Sequence, residues 1–345
     1  ITDYPFDNNY LDSGTSKVHS VLKDNAGNLW IAIYQKGVMM IPAQPNSFKY
    51  IGYKSINKNI IGSNCITSLC RDHEGILWIG TDNDGIYGIT TELKQKVHYA
   101  PHDSPSSVPS TVFGLYEDSE HNLWFGSYTN GLGRLDKKTG QCSYLQNLTD
   151  KNGNRIQRVY DLVEDQDKRL WIATMGAGLF YYDLKTGQSV YDPKFNAATK
   201  KYKWISCLLY AGDNHLYVGT YDGIRCIDLS TDDFKTEEIL SRHIIHSLYE
   251  DPQGNIWIGN SEGLAEWNPQ TQQLKTYTTA HGLSSNAVYA IKGDGQDNLW
   301  ISTNAGMSRF NLNTHTFSNF YADDGLQGNE FSKNASFADH NGILW

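Results

Sequence analysis

The sequence predicts an all-β fold, a β-propeller of four-stranded antiparallel blades, with seven blades expected and eight as the alternative. Three observations lead to this prediction. A Trp, once replaced by Tyr217, returns at intervals between 40 (257 − 217) and 48 (78 − 30) residues; one turn sequence precedes each Trp; and no segment has helical periodicity. A repeat of this length marks stacked copies of one supersecondary unit. Four short strands per unit favour a propeller over a β-sandwich with coincidental Trp spacing.

The strand that carries the Trp is expected to be buried on both faces. An aspartate stands six residues before the indole in every unit but one, where Ala211 precedes Tyr217. A small residue follows the Trp two positions later, on the same face of the strand, where it leaves room for a neighbouring sheet. Apolar residues on the other face indicate burial between sheets that stack face to face. We expect a seam between blades to contain each of Trp30, Trp78, Trp124, Trp171, Trp257, Trp300 and Trp345.

The repeat boundaries divide the chain into units that each run from inner to outer strand. We place the units at 18–64, 65–110, 111–157, 158–203, 204–243, 244–286 and 287–331. A partial unit at 332–345 is expected to close the ring with residues 1–17, since closure removes the open sheet edge. The alternatives are that these segments belong to an eighth blade or to a neighbouring propeller. Residues 1–345 are therefore predicted to form a single propeller domain, and we expect the chain to be a fragment of a longer protein.

The composition argues against several classes of protein. The chain of 345 residues has a net charge of −9, which disfavours nucleic acid or an anionic membrane as the main partner. No stretch approaches about 18 apolar residues, the length of a membrane-spanning helix. No charged and then apolar leader follows Ile1. The five cysteines are odd in number, and both Cys65 with Cys70 and Cys207 with Cys226 are too far apart on their expected strands to bridge, so we expect buried thiols.

The two faces of the predicted ring differ in the kinds of residues that they carry. One carries the Asp-x-x-Gly and Thr-Gly turns, which turn chemistry explains, because Asp bonds local backbone and Gly takes positive φ. The other, here called the upper face, carries the loop after each Trp strand and the segment that leads into each inner strand. Its residues vary while the frame does not, and its first four loops are one residue longer (85 − 78 = 7 against 263 − 257 = 6). A variable rim on a rigid ring is the expected place for binding.

The candidate ligand-binding residues are the polar and aromatic positions of this upper face. Aromatic rings stack on the apolar face of a pyranose and polar groups bind its hydroxyls, while several Arg or Lys would also suit a uronate or sulfate. For any single residue a solvated loop or an inter-blade hydrogen bond is the alternative, and for Trp204 a cap on the core. The candidates are Tyr34, Lys36, Asp82, Asp84, Tyr128, Asn130, Arg158, Trp204, Tyr221, Asp222, His243, Asn286, Asn304 and Glu330.

The units resemble the repeats of the two-component regulator propeller family. The matching residues are the runs of the form Asp-x-x-Gly-x-Leu-Trp-Ile-Gly-Thr, with the segments 282–288 and 324–331. The resemblance implies the periplasmic sensor domain of a Bacteroidetes hybrid two-component system, an inner-membrane protein. It also implies a neighbouring propeller, an immunoglobulin-like domain and a histidine kinase outside this sequence, a homodimer, and an oligosaccharide ligand that controls transcription of glycan-use genes.

The sequence contains no catalytic or metal-binding pattern. Metal-ligand spacing of the His/Cys kind is absent, as are a Gly-x-Ser-x-Gly motif and a phosphate-binding Gly loop. A lyase would need a histidine and carboxylates about a metal, for which His243 with Glu262 or Glu330 are available. We expect no enzyme activity, metal, cofactor or nucleic-acid binding. A polysaccharide lyase or hydrolase and a protein-interaction propeller without small ligand are the alternatives.

Overall fold

Seven antiparallel β-sheets follow one another along the chain in the computed structural model, which confirms the predicted propeller of seven blades. The structure describes residues 17–25, 27–35, 37–41, 48, 60–62, 65–91, 94–150, 152–191, 203–231, 234–333, 335–339 and 343–345. Within these residues six sheets have four strands and the first has three. Each sheet is a meander of consecutive strands, and the sheets are numbered 1 to 7 in chain order.

The strands have the following bounds. Sheet 1 contains β1 Val18–Lys23, β2 Leu29–Ile33 and β3 Gly37–Ile41. Sheet 2 contains β4 Ile66–Arg71, β5 Leu77–Thr81, β6 Ile86–Ile89 and β7 Gln95–Tyr99. Sheet 3 contains β8 Val112–Glu117, β9 Leu123–Ser127, β10 Leu132–Leu135 and β11 Cys142–Tyr144, and sheet 4 contains β12 Val159–Glu164, β13 Arg169–Thr174, β14 Leu179–Asp183 and β15 Gln188–Tyr191.

Sheet 5 contains β16 Ile205–Ala211, β17 His215–Thr220, β18 Gly223–Asp228 and β19 Thr236–Ser241. Sheet 6 contains β20 Ile245–Glu250, β21 Ile256–Asn260, β22 Gly263–Asn268 and β23 Gln273–Tyr277. Sheet 7 contains β24 Val288–Gly293, β25 Asn298–Thr303, β26 Met307–Asn311 and β27 Thr316–Phe320. Short 3₁₀ helices at Thr279–His281 and Ala322–Asp324 follow sheets 6 and 7. In the described part of the chain, no helix has the length and apolar character needed to cross a membrane.

The six-residue spacing between Asp and Trp has its physical reason in the turn between the first two strands of a sheet. In sheet 4, Asp165 Oδ1 accepts the backbone N–H groups of Asp167 and Arg169 at 2.9 and 3.0 Å. Its Oδ2 accepts the indole Nε1–H of Trp171 at 2.7 Å. The same indole bond forms in sheets 1, 2, 3 and 6 at 2.9, 2.8, 2.7 and 2.8 Å. One carboxylate therefore closes the turn and also orients the ring, which turn chemistry alone does not predict.

The buried indoles lie in the seams between neighbouring sheets, as predicted. Trp124 of sheet 3 packs in one apolar cluster with Leu162 and Ile172 of sheet 4. Trp171 of sheet 4 packs in the same way with Ile205 of sheet 5. Because sheet n supplies the large ring and sheet n + 1 its apolar surroundings, each seam has the same construction. The other seams of this type contain Trp78, Tyr217 and Trp257.

The small residue after the Trp allows the close approach of the next sheet. A Cβ added at Gly126 would lie 2.5 Å from the backbone oxygen of Val159 in sheet 4. A Cβ added at Gly259 would lie 2.6 Å from Cγ1 of Val288 in sheet 7. Real Cβ atoms do not approach other heavy atoms this closely, so the glycines set the spacing between these sheets. The prediction that a small residue serves inter-sheet packing is confirmed.

A second inter-sheet contact lies at the face opposite the upper face. The last residue of several first strands is a glutamate, and a turn of the preceding sheet donates a backbone N–H group to it. These bonds reach Glu117 from His73 at 2.7 Å, Glu164 from Ser119 at 2.7 Å, and Glu250 from Gly212 at 3.1 Å. They fasten each turn to the next sheet.

Sheet 1 departs from this pattern, and the prediction that every indole fills a seam is wrong for Trp30. The Trp30 side chain is 41% exposed, and all six residues of β1 are exposed. None of the apolar clusters in the described part of the chain includes a residue of sheet 1. The bond from Trp30 to Asp24 is present, so the turn is intact although the indole is exposed.

The C-terminal segment covers the apolar face of sheet 2. Phe337 and Trp345 pack against the buried cluster of that sheet. Arg71 of β4 places Nη1 2.7 Å from Oδ2 of Asp339, the aspartate of the last repeat. The partial eighth unit therefore contacts the ring next to sheet 2. The predicted closure with residues 1–17 falls, except for Lys17, outside the described residues. All five cysteines are free thiols, as expected, but only Cys70, Cys142 and Cys207 are buried; Cys65 and Cys226 are half-buried.

Candidate ligand-binding site

A β-bulge near the start of the first strand brings one side chain toward the centre of the ring in each of sheets 2 to 7. The register of these strands shifts directly after their first residue, for example between Val159 and Asp161 and between Ile245 and Ser247. An extra residue in a strand changes the direction in which its side chain points. The bulge residues are Thr67, Phe113, Tyr160, Ser206, His246 and Tyr289.

A cavity of about 340 Å³ lies where the first strands converge. Four bulge residues line it together with the start of sheet 2 and the segment that follows sheet 7. The lining residues are Cys65, Ile66, Thr67, Phe113, Tyr160, Tyr289, Phe331, Ser332 and Lys333. The cavity therefore opens toward the upper face and combines aromatic walls with hydroxyl groups and one ammonium group.

Two half-buried charged groups, Asp161 and Lys292, belong to the first strands of sheets 4 and 7. Asp161 accepts the backbone N–H groups of Leu162 at 2.9 Å and Leu208 at 2.8 Å. Burial nevertheless raises the pKa of Asp161 to about 6, with the two hydrogen bonds and the charge of Lys292 acting in the opposite direction. Burial lowers the pKa of Lys292, and Asp161 offsets part of that effect. These two groups therefore compensate each other in the interior.

His246, the bulge residue of sheet 6, is 5% exposed, and its ring centroid lies 5.4 Å from that of Tyr289. Its Nδ1 has no hydrogen-bond partner among the described residues. Burial, and to a lesser extent the charge of Lys333, lowers the pKa of His246 to about 4. Since buried polar atoms are normally paired, this nitrogen is an unused polar group beside the cavity.

We expect His246 to reduce folding stability as the pH falls from about 6.5 to about 4. The unfolded chain binds a proton at this residue near pH 6.5, whereas the folded chain does so only near pH 4. The unfolded state is therefore favoured increasingly across this range. Urea unfolding at pH 7 and pH 4.5 should show a smaller loss in His246→Gln than in the wild type. Asp161 titrates in both proteins and cancels in the comparison, so equal losses would contradict the assignment.

Backbone hydrogen bonds hold the loops of the upper face. Tyr221 donates its N–H group to the carbonyl oxygen of Trp204 at 3.1 Å, which ties the loop after β17 to the segment before β16. Gly176 donates to the carbonyl oxygen of Lys203 at 2.7 Å, which ties the loop of sheet 4 to sheet 5. The loops are thus fixed to their own sheet and to the next one, and the rim is preorganised.

Several of the predicted site residues come together at the mouth of the cavity. The guanidinium of Arg158 lies 4.8 Å from the ring centroid of Tyr128, which in turn lies 6.0 Å from the ring of Phe113. Trp204 and Tyr221 have centroids 5.8 Å apart. Tyr128 and Trp204 are both 43% exposed. These four candidates form two exposed aromatic groups above the bulge residues.

The cavity wall connects to both groups. Phe113 lies 5.0 Å from Tyr160, centroid to centroid. Lys333 places Nζ 5.7 Å from the ring centroid of Tyr221. A continuous surface of aromatic and cationic groups therefore extends from the exposed rim into the cavity.

Other predicted site residues have partners within the protein. Asp84 accepts a hydrogen bond from the hydroxyl of Tyr87 and lies 3.3 Å from Nε2 of His98. The backbone N–H of Asn130 donates to Ser127 Oγ at 2.9 Å. Asp84 and Asn130 therefore make structural contacts within the protein, in addition to the ligand binding that was predicted for them.

Asn286 belongs to a turn that occurs twice. Its Oδ1 accepts the N–H of Thr279 at 2.8 Å, and the Oδ1 of Asn329 accepts the N–H of Ala322 at the same distance. Gly282, with φ of 103°, ends the first 3₁₀ helix in the left-handed region that favours glycine. The equivalent glycine of the second turn has φ of 102°. The turn thus explains the repeated Gly-Leu-x-x-Asn pattern.

The remaining candidates lie on the rim without joining the cavity. Asp82, through its carbonyl oxygen, accepts a hydrogen bond from Thr111 Oγ1 at 2.7 Å, and His243 Nε2 lies 3.3 Å from Glu262 Oε2. The carbonyl oxygen of Asp222 accepts the N–H of Arg242 at 3.0 Å. Tyr34, Asn304 and Glu330 are exposed, and Lys36 lies outside the described residues.

The sequence predictions missed the bulge residues, although a signal for them exists. Each bulge residue stands 11 positions before the indole or Tyr217 of its unit, as in 171 − 160 and 257 − 246. At this position the residue type changes from unit to unit, while the residue before it is always Ile or Val. The rim residues were predicted from variable positions within a constant frame. The same criterion also identifies this position in the first strand of each sheet.

A second group of polar side chains lies on the opposite face. His73, Glu117 and His121 place their ligand atoms within 4.8 Å of one another. Glu117 already accepts the backbone N–H of His73 at 2.7 Å and lies 2.6 Å from Nζ of Lys137. We therefore assign Glu117 to the contact between sheets 2 and 3.

Comparisons with known proteins agree with this fold. The family described as two component regulator propeller matches residues 60–83, 106–129, 150–176, 239–262 and 282–305. This match confirms the resemblance noted in the repeats. A comparison with curated protein sequences finds no significant match.

Among solved structures, the chain is similar to the extracellular domain of the hybrid two-component system BT3049 from B. thetaiotaomicron. The TM-score is 0.82 at 22% identity, over 99% of this chain and 45% of that one. The corresponding domain of BT4673 from the same organism gives 0.70 at 21%, over 92% and 43%. A streptogramin B lyase gives 0.60 at 15%, over 81% and 89%. At these identities the likeness shows the fold, and the chain spans less than half the length of the two sensor domains.

Proposed function

By its repeats this chain belongs to the two-component regulator propeller family, and from that premise we propose that it is the ligand-sensing part of a hybrid two-component sensor. The ligand would bind at the upper face, outside the cytoplasm, and signal to a histidine kinase elsewhere in the same protein. The observation that carries the proposal is the surface from Tyr128 and Trp204 into the cavity. Its aromatic groups are exposed on loops that backbone hydrogen bonds hold in place.

We propose a glycan-derived oligosaccharide as the ligand, in a role that controls transcription of glycan-use genes. Exposed aromatic rings offer flat apolar surfaces for sugar rings, and the adjacent Arg158 and the hydroxyl groups of the cavity offer hydrogen bonds. Concave sites of this kind, with a few convergent polar groups, are the usual form of small-molecule sites.

A neighbouring propeller of the same protein would contact sheet 1. The exposed apolar residues of that sheet include Val18, Leu22 and Trp30. Sheet 1 has the same bond between aspartate and indole as the sheets whose indoles are buried. However, the C-terminal segment, and not sheet 1, packs against the apolar cluster of sheet 2. Exposed apolar patches of this kind mark interaction surfaces. An immunoglobulin-like domain and dimerisation of the whole protein are further parts of this proposal.

Binding of glycan fragments to the complete chain tests the function. Trp204→Ala and Tyr128→Ala should weaken binding by about tenfold or more, since stacking and burial on an aromatic ring contribute on the order of 1–3 kcal/mol. Isothermal titration calorimetry measures the affinity, and thermal melting checks that both variants fold.

A matched control tests whether the loss of affinity is specific to the mouth of the cavity. Tyr321→Ala removes an exposed aromatic residue that follows sheet 7 and should leave the affinity unchanged. Unchanged affinity in both rim variants would reject this site. Turnover of the same fragments that is lost in His243→Ala would instead support a lyase or hydrolase.

A further inference from the structure

The wall of the central cavity carries a single charge, and that charge is positive. Its nine lining residues include Lys333 and no Asp or Glu. The chain as a whole carries a net charge of −9, so this local excess runs against the overall composition. Asp161, the half-buried carboxylate that follows Tyr160 of the wall, accepts two backbone hydrogen bonds and interacts with Lys292. The cationic group of the wall is therefore not compensated within it.

Lys333 has no ion-pair partner in the described part of the chain. Its Nζ faces the ring of Tyr221 at 5.7 Å, and burial lowers its pKa. Burial removes part of the water around an ammonium group, and no carboxylate in the wall replaces that interaction. An anion in the cavity would restore that interaction, because hydrogen bonds between charged groups are the stronger kind.

A second observation points to the same place. His246 is nine-tenths buried beside Tyr289 of the wall, and its Nδ1 is unpaired among the described residues. This nitrogen is therefore an unsatisfied polar group of the described chain that lies behind the Tyr289 part of the cavity wall. The charge of Lys333, which lines the cavity, contributes to the lowered pKa of His246. The cavity wall thus carries one ammonium group, with an unpaired imidazole nitrogen behind it.

We propose that the cavity binds an acidic sugar unit, with Lys333 as the charge partner of its carboxylate or sulfate group. This inference rests on the proposed glycan-sensing function and specifies the chemical class of ligand. The cavity volume of about 340 Å³ is at the lower end of the range for ligand sites, so the acidic unit would enter as the end of a chain. The remaining sugar units would lie on the rim, against Tyr128 and Trp204.

The test compares acidic with neutral fragments on the complete chain by calorimetry. The acidic set contains oligogalacturonates and the disaccharides of chondroitin sulfate and heparan sulfate; the neutral set contains oligosaccharides of galactan, arabinan and mannan. We expect binding from the acidic set, and a loss of affinity of about tenfold or more in Lys333→Gln. Methyl esterification of a bound oligogalacturonate should cause a similar loss in the wild type and little change in Lys333→Gln.

Lys275→Gln is the matched control. Lys275 also places Nζ near a tyrosine ring, at 4.7 Å from Tyr277, but on the outer strand of sheet 6. This variant should bind as the wild type does. The alkylation rate of Cys65 shows where the ligand binds. Cys65 lines the cavity, so bound ligand should slow its alkylation several-fold in a Cys226→Ser background.

The outcomes separate the two proposals. A neutral fragment that binds the wild type and Lys333→Gln equally well would overturn the acidic ligand and leave the sensing function standing. The absence of binding by every fragment of both sets would contradict the sensing of these glycans, and with it this inference. Equal effects of Lys333→Gln and Lys275→Gln would show that overall charge, and not the cavity, determines the affinity.

Discussion

Replacing Trp171 by alanine should lower the free energy of unfolding by about 3–5 kcal/mol. The indole is fully buried in the seam between sheets 4 and 5, where it packs with Ile205 and Leu216. Its removal leaves a cavity that the rigid strands on both sides cannot close. It also removes the Nε1–H bond to Asp165, which closes the preceding turn. Urea unfolding of the complete chain, followed by tryptophan fluorescence and circular dichroism, measures the effect.

The matched control is Trp30→Ala in sheet 1. Trp30 has the same strand position and the same bond to an aspartate, but its ring is exposed. We expect a cost of about 1 kcal/mol or less in this chain, since exposed positions contribute little to packing. Similar costs for the two variants would contradict the different placement of sheet 1. If the proposed neighbouring propeller covers sheet 1 in a longer chain, the cost at Trp30 should rise there toward that at Trp171.

Gly126→Val should destabilise the fold by about 3 kcal/mol, near the upper end of the usual cost of overpacking. The first side-chain carbon would already lie 2.5 Å from the carbonyl oxygen of Val159, so sheets 3 and 4 would have to separate. That separation would also loosen the packing of Trp124 in the same seam. Gly126→Ala should cost less than Gly126→Val, because the methyl group requires a smaller shift.

Gly328→Ala provides the control for this substitution. A Cβ at this position meets no heavy atom within 4 Å, and the change should stay within about 0.5 kcal/mol of the wild type. Chemical unfolding of the three variants under one set of conditions gives the comparison. A Gly126→Val protein as stable as Gly328→Ala would mean that the inter-sheet distance is not set at this strand position.

Much of the fold could be predicted because the repeat tests each pattern several times. The Trp position predicted the seams correctly at Trp124 and Trp171, and the small residue at Gly126 was correctly linked to the approach of the next sheet. The same pattern failed at Trp30. The local sequence there is the same as in the sheets whose indoles are buried, and only the contacts of the whole chain show which sheet packs against a neighbour.

The candidate site was predictable in part. Tyr128, Arg158, Trp204 and Tyr221 were predicted from a rim whose residues vary, and the structure places them around one cavity mouth. Asp84 and Asn286, found by the same reasoning, bind other groups of the protein. A loop position identifies a residue as exposed to the upper face, but not whether its polar atoms are already paired.

The sequence by itself determined the repeating sheet, its strand order and the seams, because these depend on local hydrogen bonds and on the alternation of side chains along a strand. The tertiary structure alone decided that Lys333 lines one cavity with Phe113, Tyr160 and Tyr289, since these residues belong to a C-terminal segment and to sheets 3, 4 and 7. The bulge position has a sequence signal in its fixed spacing from the indole. Ring closure, which brings the distant segments together, has no such signal in the spacing of neighbouring residues.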